Sequence, residues 1–342
     1  MREIVVDIIV IGRNEGAILD KAILSCQHAG EEMAHLGHPR PKVIYVDSQS
    51  TDNSLKIAQD LGADCYLVEG KPNPAAGRHV GFAHGVGKYV FFVDGDMEVY
   101  PGWLPQGIEY LEQHPEVAGV AGIVDWEVIE GDRIRTIPNY RGIRRNGAMV
   151  TSDVGGGFIY RREALLKAGD FDPTLTLGEE LELYLRILAQ GYILVYLTIP
   201  MALHRDLKGS LGKNFIRRSL FTPNIFIPGV VARKAPSHPA VRAMLWKRYW
   251  LYLWHPVSLA LLAITLLSWR HFSSPSLAFL VSGAIVMQLF LVHWLYKARN
   301  SGRAIVSLIT INFFIVAFLI GYLSRWPRVG GYYKEMEHKR NY

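Results

Sequence analysis

Apolar and polar positions alternate in blocks along the first 200 residues of the chain. Short apolar runs predict four strands, at residues 3–12, 42–47, 64–69 and 88–94. Stretches with a helical pattern lie between them, at about residues 17–28, 52–61 and 76–86. Because strands that alternate with helices at this spacing are typical of βαβ units, the pattern predicts an α/β domain with a mainly parallel sheet.

Polar side chains follow three of the predicted strands. They are Asn14 and Glu15, then Asp47, and then the pair Asp94 and Asp96 around a glycine. Since ligands of parallel sheets bind beyond the carboxyl ends of the strands, we expect these side chains to share one binding edge. Two simpler interpretations stay open at this point: the acidic pair could form a solvated turn, and Glu15 could simply complement a helix dipole.

The pattern changes after residue 200. Three segments of 21, 22 and 21 residues contain no Asp, Glu, Lys or Arg, at residues 249–269, 275–296 and 304–324. Each is long enough to cross a bilayer, so the sequence predicts transmembrane helices. Buried helices of a soluble domain are the alternative. The preceding residues 213–248 are basic, aromatic and broken by proline, which is typical of a segment that lies on a membrane surface.

The charge distribution changes at the same place. Residues 1–203 carry 18 Lys and Arg against 28 Asp and Glu, whereas residues 204–342 carry 19 against 3, which together give the net charge of +6. A half that is both basic and apolar favours a membrane over nucleic acid. The chain is therefore predicted to comprise a domain at 1–212, an interfacial segment at 213–248 and a membrane region with a basic tail at 249–342.

Orientation and compartment follow from the same residues. The excess of Lys and Arg before the first apolar segment predicts that the N-terminal domain faces the cytosol, in an integral protein of a bacterial inner membrane. The tail after residue 324 is basic too, so the number of crossings and the side of the C-terminus stay open. Only two cysteines occur, Cys26 and Cys65, which excludes a disulfide framework and fits a reducing compartment. The N-terminus lacks the pattern of a cleaved signal peptide.

Five segments in the first 205 residues resemble a known family in order and spacing: "IVIGRNEG", "VIYVDSQSTDNS", "PNPAAGRHVGFAHGVGKYVFFVDGDMEV", "GGGFIYRREALLKAGDFD" and "LGEELELYLRI". Together they resemble the family 2 glycosyltransferases. The resemblance implies the GT-A fold, a Rossmann-like domain, and a nucleotide diphosphate sugar as donor, with a UDP-sugar favoured. It also implies a divalent metal, Mg²⁺ or Mn²⁺.

Within the resemblance, Asp94 and Asp96 match the D-x-D motif of the family. This implies that Asp96 binds the metal directly and that Asp94 lies near the metal or the donor ribose. Carboxylate oxygens suit Mg²⁺ and Mn²⁺, and such a metal offsets the charge of a diphosphate leaving group. His204 is a further candidate ligand of the metal or diphosphate, with a purely structural histidine as the alternative.

The resemblance also implies a donor pocket formed by Asn14, Glu15, Asp47 and Ser48. Ser48 stands where the family often has a second Asp, and this departure weakens the assignment of uridine as the base. Arg78 matches an arginine that helps to hold the donor in this family. A salt bridge on a helix face would explain Arg78 as well.

A base must take the proton of the acceptor hydroxyl in an inverting transfer. The family usually has Glu-Asp where this chain has Glu179 and Glu180, so Glu180 is the expected base and Glu179 the alternative. Five residues are expected to bind the acceptor. Two belong to a run of glycines and three to a basic stretch: Gly156, Gly157, Lys213, Arg217 and Arg218. The basic residues suit a lipid diphosphate, and lipid headgroups would explain them equally well.

These features predict a metal-dependent inverting glycosyltransferase that uses a lipid-linked polyprenyl acceptor in the assembly of cell-surface polysaccharide or glycoconjugate. Two alternatives remain. The first is a transferase that places one sugar on polyprenyl phosphate itself. The second is a catalytically silent membrane scaffold that binds nucleotide, which the departure at Glu180 keeps open.

Overall fold

The computed structural model describes residues 5–130, 133–140, 142, 148–151, 155–206, 226–247, 283 and 317–323. The chain divides into two compact units. The described residues up to 206 belong to the first unit, and those from 226 to 323 belong to the second. The basic residues Lys213, Arg217 and Arg218, predicted to bind a lipid diphosphate, lie outside the described residues.

The first unit is an α/β domain. Its strands are β1 (Val6–Gly12), β2 (Lys42–Asp47), β3 (Asp64–Leu67), β4 (Tyr89–Asp94), β5 (Met97–Val99), β6 (Val117–Glu130), β7 (Arg133–Ile137), β8 (Ala148–Val150), β9 (Phe158–Arg161) and β10 (Ile193–Asp206). Its helices are α1 (Leu19–His35), α2 (Ser54–Asp60), α3 (Pro74–His84), α4 (Trp103–Gln113), α5 (Arg162–Ala168) and α6 (Glu179–Ala189).

The strands form one sheet in the order β3-β2-β1-β4-β9-β6-β10-β5, with β7 beside β6 and β8 beside β10. The strands β3, β2, β1 and β4 run parallel to one another, and so do β6 and β10. The strands β5, β7, β8 and β9 join by antiparallel pairing. The three longest ladders, β6 with β10 and β1 with β2 and with β4, are parallel, as the alternation of strands and helices predicts.

Burial explains why these segments form strands. Every residue of β1 from Val6 to Ile11 is buried, and β4 is buried from Tyr89 to Val93. Apart from Asp7, these buried residues are apolar, and such runs are typical of strands that are covered on both faces. Helix α3 packs against β1 and β2, α4 packs against β6, and α5 packs against α6.

Helix α1 differs from the sequence-based expectation. It continues to His35, whereas the pattern predicted an end near His28. Its last two turns place Ala29, Gly30 and Met33 in the interior. Tertiary burial of these side chains therefore stabilises two turns that the local pattern did not indicate.

The second unit contains helix α7 (Ile227–Lys234) and helical residues 239–247 and 317–323. Helix α7 buries Ile227, Val230 and Val231 and ends in the basic pair Arg233 and Lys234. The apolar segments at 249–269, 275–296 and 304–324 lie outside the described residues apart from residue 283 and residues 317–323. Among the helices that the structure describes, none is long and apolar enough to cross a membrane.

Candidate active site

The carboxyl ends of β1, β2 and β4 meet at one edge of the sheet. The backbone N–H of Ser48 donates to the carbonyl of Gly12 at 2.9 Å, which joins the end of β2 to the end of β1. On the other side of β1, the N–H of Gly95 donates to the carbonyl of Ile11 at 2.7 Å. The structure thus brings together the three strand ends that carry the predicted site residues.

The loops after β1 and β2 are joined through Asn14. Its backbone N–H donates to Ser50 Oγ at 2.9 Å, and its Oδ1 accepts from the N–H of Thr51 at 2.7 Å. The next residue, Glu15, donates its N–H to Ser54 Oγ at 3.0 Å. These contacts hold the two loops in one arrangement beside the strand ends.

Asp47 and Ser48 are both buried at the end of β2. Asp47 accepts from the hydroxyl of Tyr45 at 3.0 Å and from the N–H of Ser50 at 2.8 Å, one bond to each carboxylate oxygen. Burial and then the charge of Asp47 raise the pKa of Tyr45, so the Tyr45 hydroxyl stays protonated and donates. Asp47 therefore stabilises the loop after β2 by accepting these two hydrogen bonds. Its contact with a nucleoside stays a prediction, as does that of Ser48.

The second acid of the motif lies against His204. Asp96 Oδ1 is 2.9 Å from His204 Nε2, in an ion-pair contact. Asp96 Oδ1 is buried, and among the described residues it accepts no hydrogen bond of good geometry. Strand pairing brings the two together, because His204 on β10 faces Met97 on β5. The ring of Trp126 stacks edge-on against His204, with centroids 4.0 Å apart.

This pair fits a divalent metal. Two ligand atoms that occupy neighbouring octahedral positions at about 2.1 Å from a divalent metal lie about 3 Å apart, which is compatible with the 2.9 Å between Asp96 Oδ1 and His204 Nε2. Within the described part of the chain, no three His, Cys, Asp or Glu side chains are grouped for metal binding. Since Mg²⁺ commonly uses one or two protein ligands and takes the rest from water and phosphate, a two-residue site suits a metal that arrives with a diphosphate.

The first acid of the motif contacts a buried arginine instead. Arg78 Nη2 donates to Asp94 Oδ1 at 2.9 Å, and Arg78 Nη1 donates to Glu179 Oε1 at 2.8 Å. Glu180 Oε1 lies 3.4 Å from the same Nη2 atom. Burial acts to lower the pKa of Arg78, but the charges of Asp94, Glu180 and Glu179 outweigh burial and raise it. Arg78 therefore stays charged.

Helices α3 and α6 set the position of this cluster. Asn73 caps α3 by accepting the N–H of Ala76 at 2.9 Å, and Pro74 follows as the first helical residue, so Arg78 lies one turn into the helix. Helix α6 begins directly at Glu179, because Gly178 before it adopts a φ of 75°. The two glutamates consequently lie in the first turn of α6.

The two glutamates occupy different surroundings. The side chain of Glu179 is 6% exposed and that of Glu180 is 22% exposed. Glu180 lines a cavity of about 220 Å³, together with Asp94, Trp126, Tyr140, Gly156 and His204. One cavity thus joins the expected base, the first acid of the motif, the candidate metal ligand and the glycines of the acceptor side. Gly157 lines it as well.

The aromatic residues Trp126 and Tyr140 were not among the predicted site residues. They stack edge-on, with centroids 4.6 Å apart, and both line the cavity. Trp126 lies on β6, which runs parallel to β10. Trp126 pairs in register with His204 on β10, and no local pattern in the sequence indicates this pairing.

The fold and the cavity define an α/β domain with an acidic edge at the carboxyl ends of its parallel strands. Residues 7–169 match the sequence model of the family described as Glycosyl transferase family 2. This match confirms, over that segment, the resemblance seen in the sequence. No curated protein sequence matches the chain.

Solved structures share this fold. The structure of S. aureus TarS residues 1–349 in complex with UDP-GlcNAc has a TM-score of 0.56 and 14% identity, over 94% of this chain and 93% of that one. The mannosyltransferase PcManGT from Pyrobaculum calidifontis, in complex with GDP-Man and Mn²⁺, has a TM-score of 0.52 and 20% identity, over 94% and 88%. Against the longer TarS structure, with a TM-score of 0.52 and 16% identity, the match covers 71% of this chain and 43% of that one. At these low identities, the structural similarity shows the fold alone.

Proposed function

We propose that the chain is a metal-dependent inverting glycosyltransferase that moves a sugar from a nucleotide diphosphate sugar to a lipid-linked polyprenyl acceptor at the cytosolic face of a membrane. The observation that carries this proposal is the cavity that Glu180 lines together with Asp94 and His204, with Asp96 Oδ1 2.9 Å from His204 Nε2. A base and a metal site on one cavity are what a single displacement at an anomeric carbon requires.

Asp96 and His204 would hold Mg²⁺ or Mn²⁺. When bound, the metal would stabilise the negative charge that develops on the departing nucleoside diphosphate. Two proteins with this fold were solved in complex with nucleotide sugars, UDP-GlcNAc for TarS and GDP-Man for the mannosyltransferase PcManGT, the latter with Mn²⁺. Their ligands support the class of donor proposed for this chain.

The remaining steps use the side chains of the chain itself. Glu180 takes the proton of the acceptor hydroxyl as that oxygen bonds to the anomeric carbon from the face opposite the leaving group. The bond from the anomeric carbon to the diphosphate oxygen breaks at the same time, and its electron pair leaves with the nucleoside diphosphate. Attack from the opposite face inverts the anomeric centre, and Trp126 and Tyr140 form an apolar wall beside it.

The acceptor and the location rest on the C-terminal half. Residues 204–342 combine the three long apolar segments with 19 Lys and Arg against 3 Asp and Glu. In the described part, Trp246 is exposed beside the basic residues of 239–247. An exposed Trp among basic residues suits the headgroup region of a membrane, where a lipid-linked acceptor would be held.

The test is transfer of labelled sugar by membranes that contain the chain, with a panel of nucleotide sugars, a lipid extract, and either Mn²⁺ or EDTA. We expect transfer with Mn²⁺ and none with EDTA. Asp96→Asn should lower the rate on the order of 1,000-fold, because a metal supplies several kcal/mol and each tenfold needs about 1.4 kcal/mol. Asp60→Asn is the control, since Asp60 is an exposed partner of Lys56.

Three results would contradict the proposal or redirect it. Absence of transfer with every donor, in the presence of nucleotide binding, would instead support a silent scaffold. A product with a single sugar on polyprenyl phosphate would establish the monoglycosyltransferase. Transfer that persists in EDTA would exclude the metal site formed by Asp96 and His204.

A further inference from the structure

Three carboxylates surround one guanidinium at the centre of the site. Arg78 contacts Asp94, Glu179 and Glu180, all within 3.4 Å. These residues come from the start of α3, the end of β4 and the start of α6. Arg78 and Glu179 are 101 positions apart in the chain. The contact is therefore a tertiary link between the metal side and the base side of the cavity.

We propose that Arg78 is a positioning residue that sets the carboxylates of Asp94 and Glu180 relative to each other, with Glu179 as its buried counter-ion rather than the base. The proposal rests on the proposed function, since it assigns roles within that reaction. It also separates the two adjacent glutamates, whose roles the sequence leaves open.

The geometry of the guanidinium supports this assignment. Nη1 bonds Glu179 at 2.8 Å, while Nη2 bonds Asp94 at 2.9 Å and lies 3.4 Å from Glu180. A planar guanidinium holds several acceptors at fixed angles, whereas a lysine ammonium is a flexible point charge. One rigid group therefore fixes the spacing between the first acid of the motif and the expected base.

Burial separates the roles of the two glutamates. The side chains of Arg78 and Glu179 are 3% and 6% exposed, so this ion pair is removed from solvent. A buried ion pair that loses one partner leaves an uncompensated charge, which fixes Glu179 as a partner of Arg78. Glu180 lines the cavity, where an acceptor hydroxyl can reach it.

Arg78 is also packed from the side. Its guanidinium lies over the ring of Phe171 at 5.4 Å, and it forms part of the buried surface of α3. Side-chain packing and three acidic contacts leave it 3% exposed. The guanidinium therefore acts on the reaction indirectly, by positioning Asp94 and Glu180. It is not assigned a direct contact with the donor.

Charge explains why one arginine is needed here. Asp94 and Glu180 both approach the same nitrogen of Arg78, so without the guanidinium two like charges would face each other across a small gap. Like charges in partly buried surroundings repel strongly because solvent screens them weakly. Removal of Arg78 should therefore move the carboxylate of Glu180 away from the acceptor hydroxyl.

The experiment compares kcat with donor affinity in four variants of the full chain in detergent or membranes. Affinity for the nucleotide is measured by calorimetry with Mn²⁺, and kcat is measured with saturating donor. Glu180→Gln should lower kcat by about 100- to 10,000-fold as the base is lost. Arg78→Lys and Glu179→Gln should lower kcat by about 10- to 100-fold through misplacement, with donor Kd unchanged within about threefold.

Arg186→Lys is the matched control. Arg186 forms an ion pair of 2.7 Å with Glu182 on the same helix, also with low exposure, and it lies outside the cavity. The Arg186→Lys variant should lose about as much free energy of unfolding as Arg78→Lys does, but its kcat should stay at the wild-type value. Thermal unfolding of all variants distinguishes loss of folding from displacement of the site carboxylates. If the arginine variants do not fold, the isosteric Glu179→Gln still tests the inference.

Two results would overturn the inference. If Glu179→Gln lowers kcat as much as Glu180→Gln does, Glu179 takes part in the proton transfer. If Arg78→Lys weakens donor binding about tenfold or more while kcat is kept, Arg78 holds the donor directly. If the wild-type chain transfers no sugar, the proposed function fails by itself. The positions of Asp94 and Glu180 in a crystal structure of Arg78→Lys then decide the inference: displacement supports it, and unchanged positions overturn it.

Discussion

Gly156 and Asp94 lie so close together that no side chain fits between them. A methyl group on Gly156 would overlap the carboxylate of Asp94, which Arg78 holds from the other side. The neighbouring Gly157 differs, because a methyl group there would meet the flexible end of Met201 at 2.7 Å. Adjacent glycines of the same loop therefore offer a matched pair of substitutions.

At the residue scale, we predict that Gly156→Ala lowers sugar transfer by about 100-fold, because the Asp94 carboxylate must shift by about 1 Å or more. Gly157→Ala should lower it by less than about threefold, since the Met201 side chain can adjust. Transfer assays on both variants, with thermal unfolding as a check of folding, measure the difference. Equal activity in the two variants would contradict the tight contact between Gly156 and Asp94.

At the element scale, helix α6 carries both Glu179 and Glu180. Glycines with left-handed backbone conformations lie on either side of this helix. Gly178 at its start has a φ of 75°, and Gly191 just after its end has a φ of 83°. Side chains other than glycine adopt such φ values at a cost of about 1–2 kcal/mol. The two glycines have the same conformational requirement, but only Gly178 adjoins Glu179.

We predict that Gly178→Ala and Gly191→Ala each lower the free energy of unfolding by about 1–2 kcal/mol. Only Gly178→Ala should also lower kcat, because the first turn of α6 positions Glu180. Thermal or chemical unfolding and transfer assays on the same preparations measure the two effects. Loss of kcat to the same extent in Gly191→Ala would show that general destabilisation, rather than the start of α6, limits the activity.

At the scale of the whole molecule, an acidic α/β unit precedes a basic and apolar half. The distribution of charge places 28 of the 31 acidic residues before residue 204. A membrane with anionic lipids would attract the second half and repel the first. Charge by itself therefore favours contact of the second half, rather than the first, with such a membrane.

We predict that the full-length chain stays in the membrane pellet after a carbonate wash at high pH and dissolves in mild detergent. Apolar segments of 21 or 22 residues bury enough surface to resist such a wash, whereas a purely electrostatic attachment does not. Fractionation followed by immunoblotting measures the outcome. Release by carbonate would contradict a membrane-spanning region and leave a surface attachment.

Several features were predictable from local pattern. The continuous apolar runs of β1 and β4 and the polar residues after them indicated a parallel sheet with a shared edge, and the order of the motifs indicated the family. Strand identity depends on neighbouring residues along the chain, and the carboxyl ends of parallel strands must meet at one edge. The sequence by itself therefore determined the fold class, the site edge and Asp94 and Asp96 as candidates.

Only the tertiary structure decided which side chains touch. Arg78 with Glu179, Asp96 with His204, and Asp94 with Gly156 are pairs whose members lie 62 to 108 positions apart or join separate strands. Their contacts depend on the antiparallel insertion of β9 and β5 and on the pairing of β6 with β10, which no local periodicity encodes. Side-chain contact is a property of packing between distant segments, and so the roles proposed for Glu179 and Glu180 rest on contacts that only the folded chain shows.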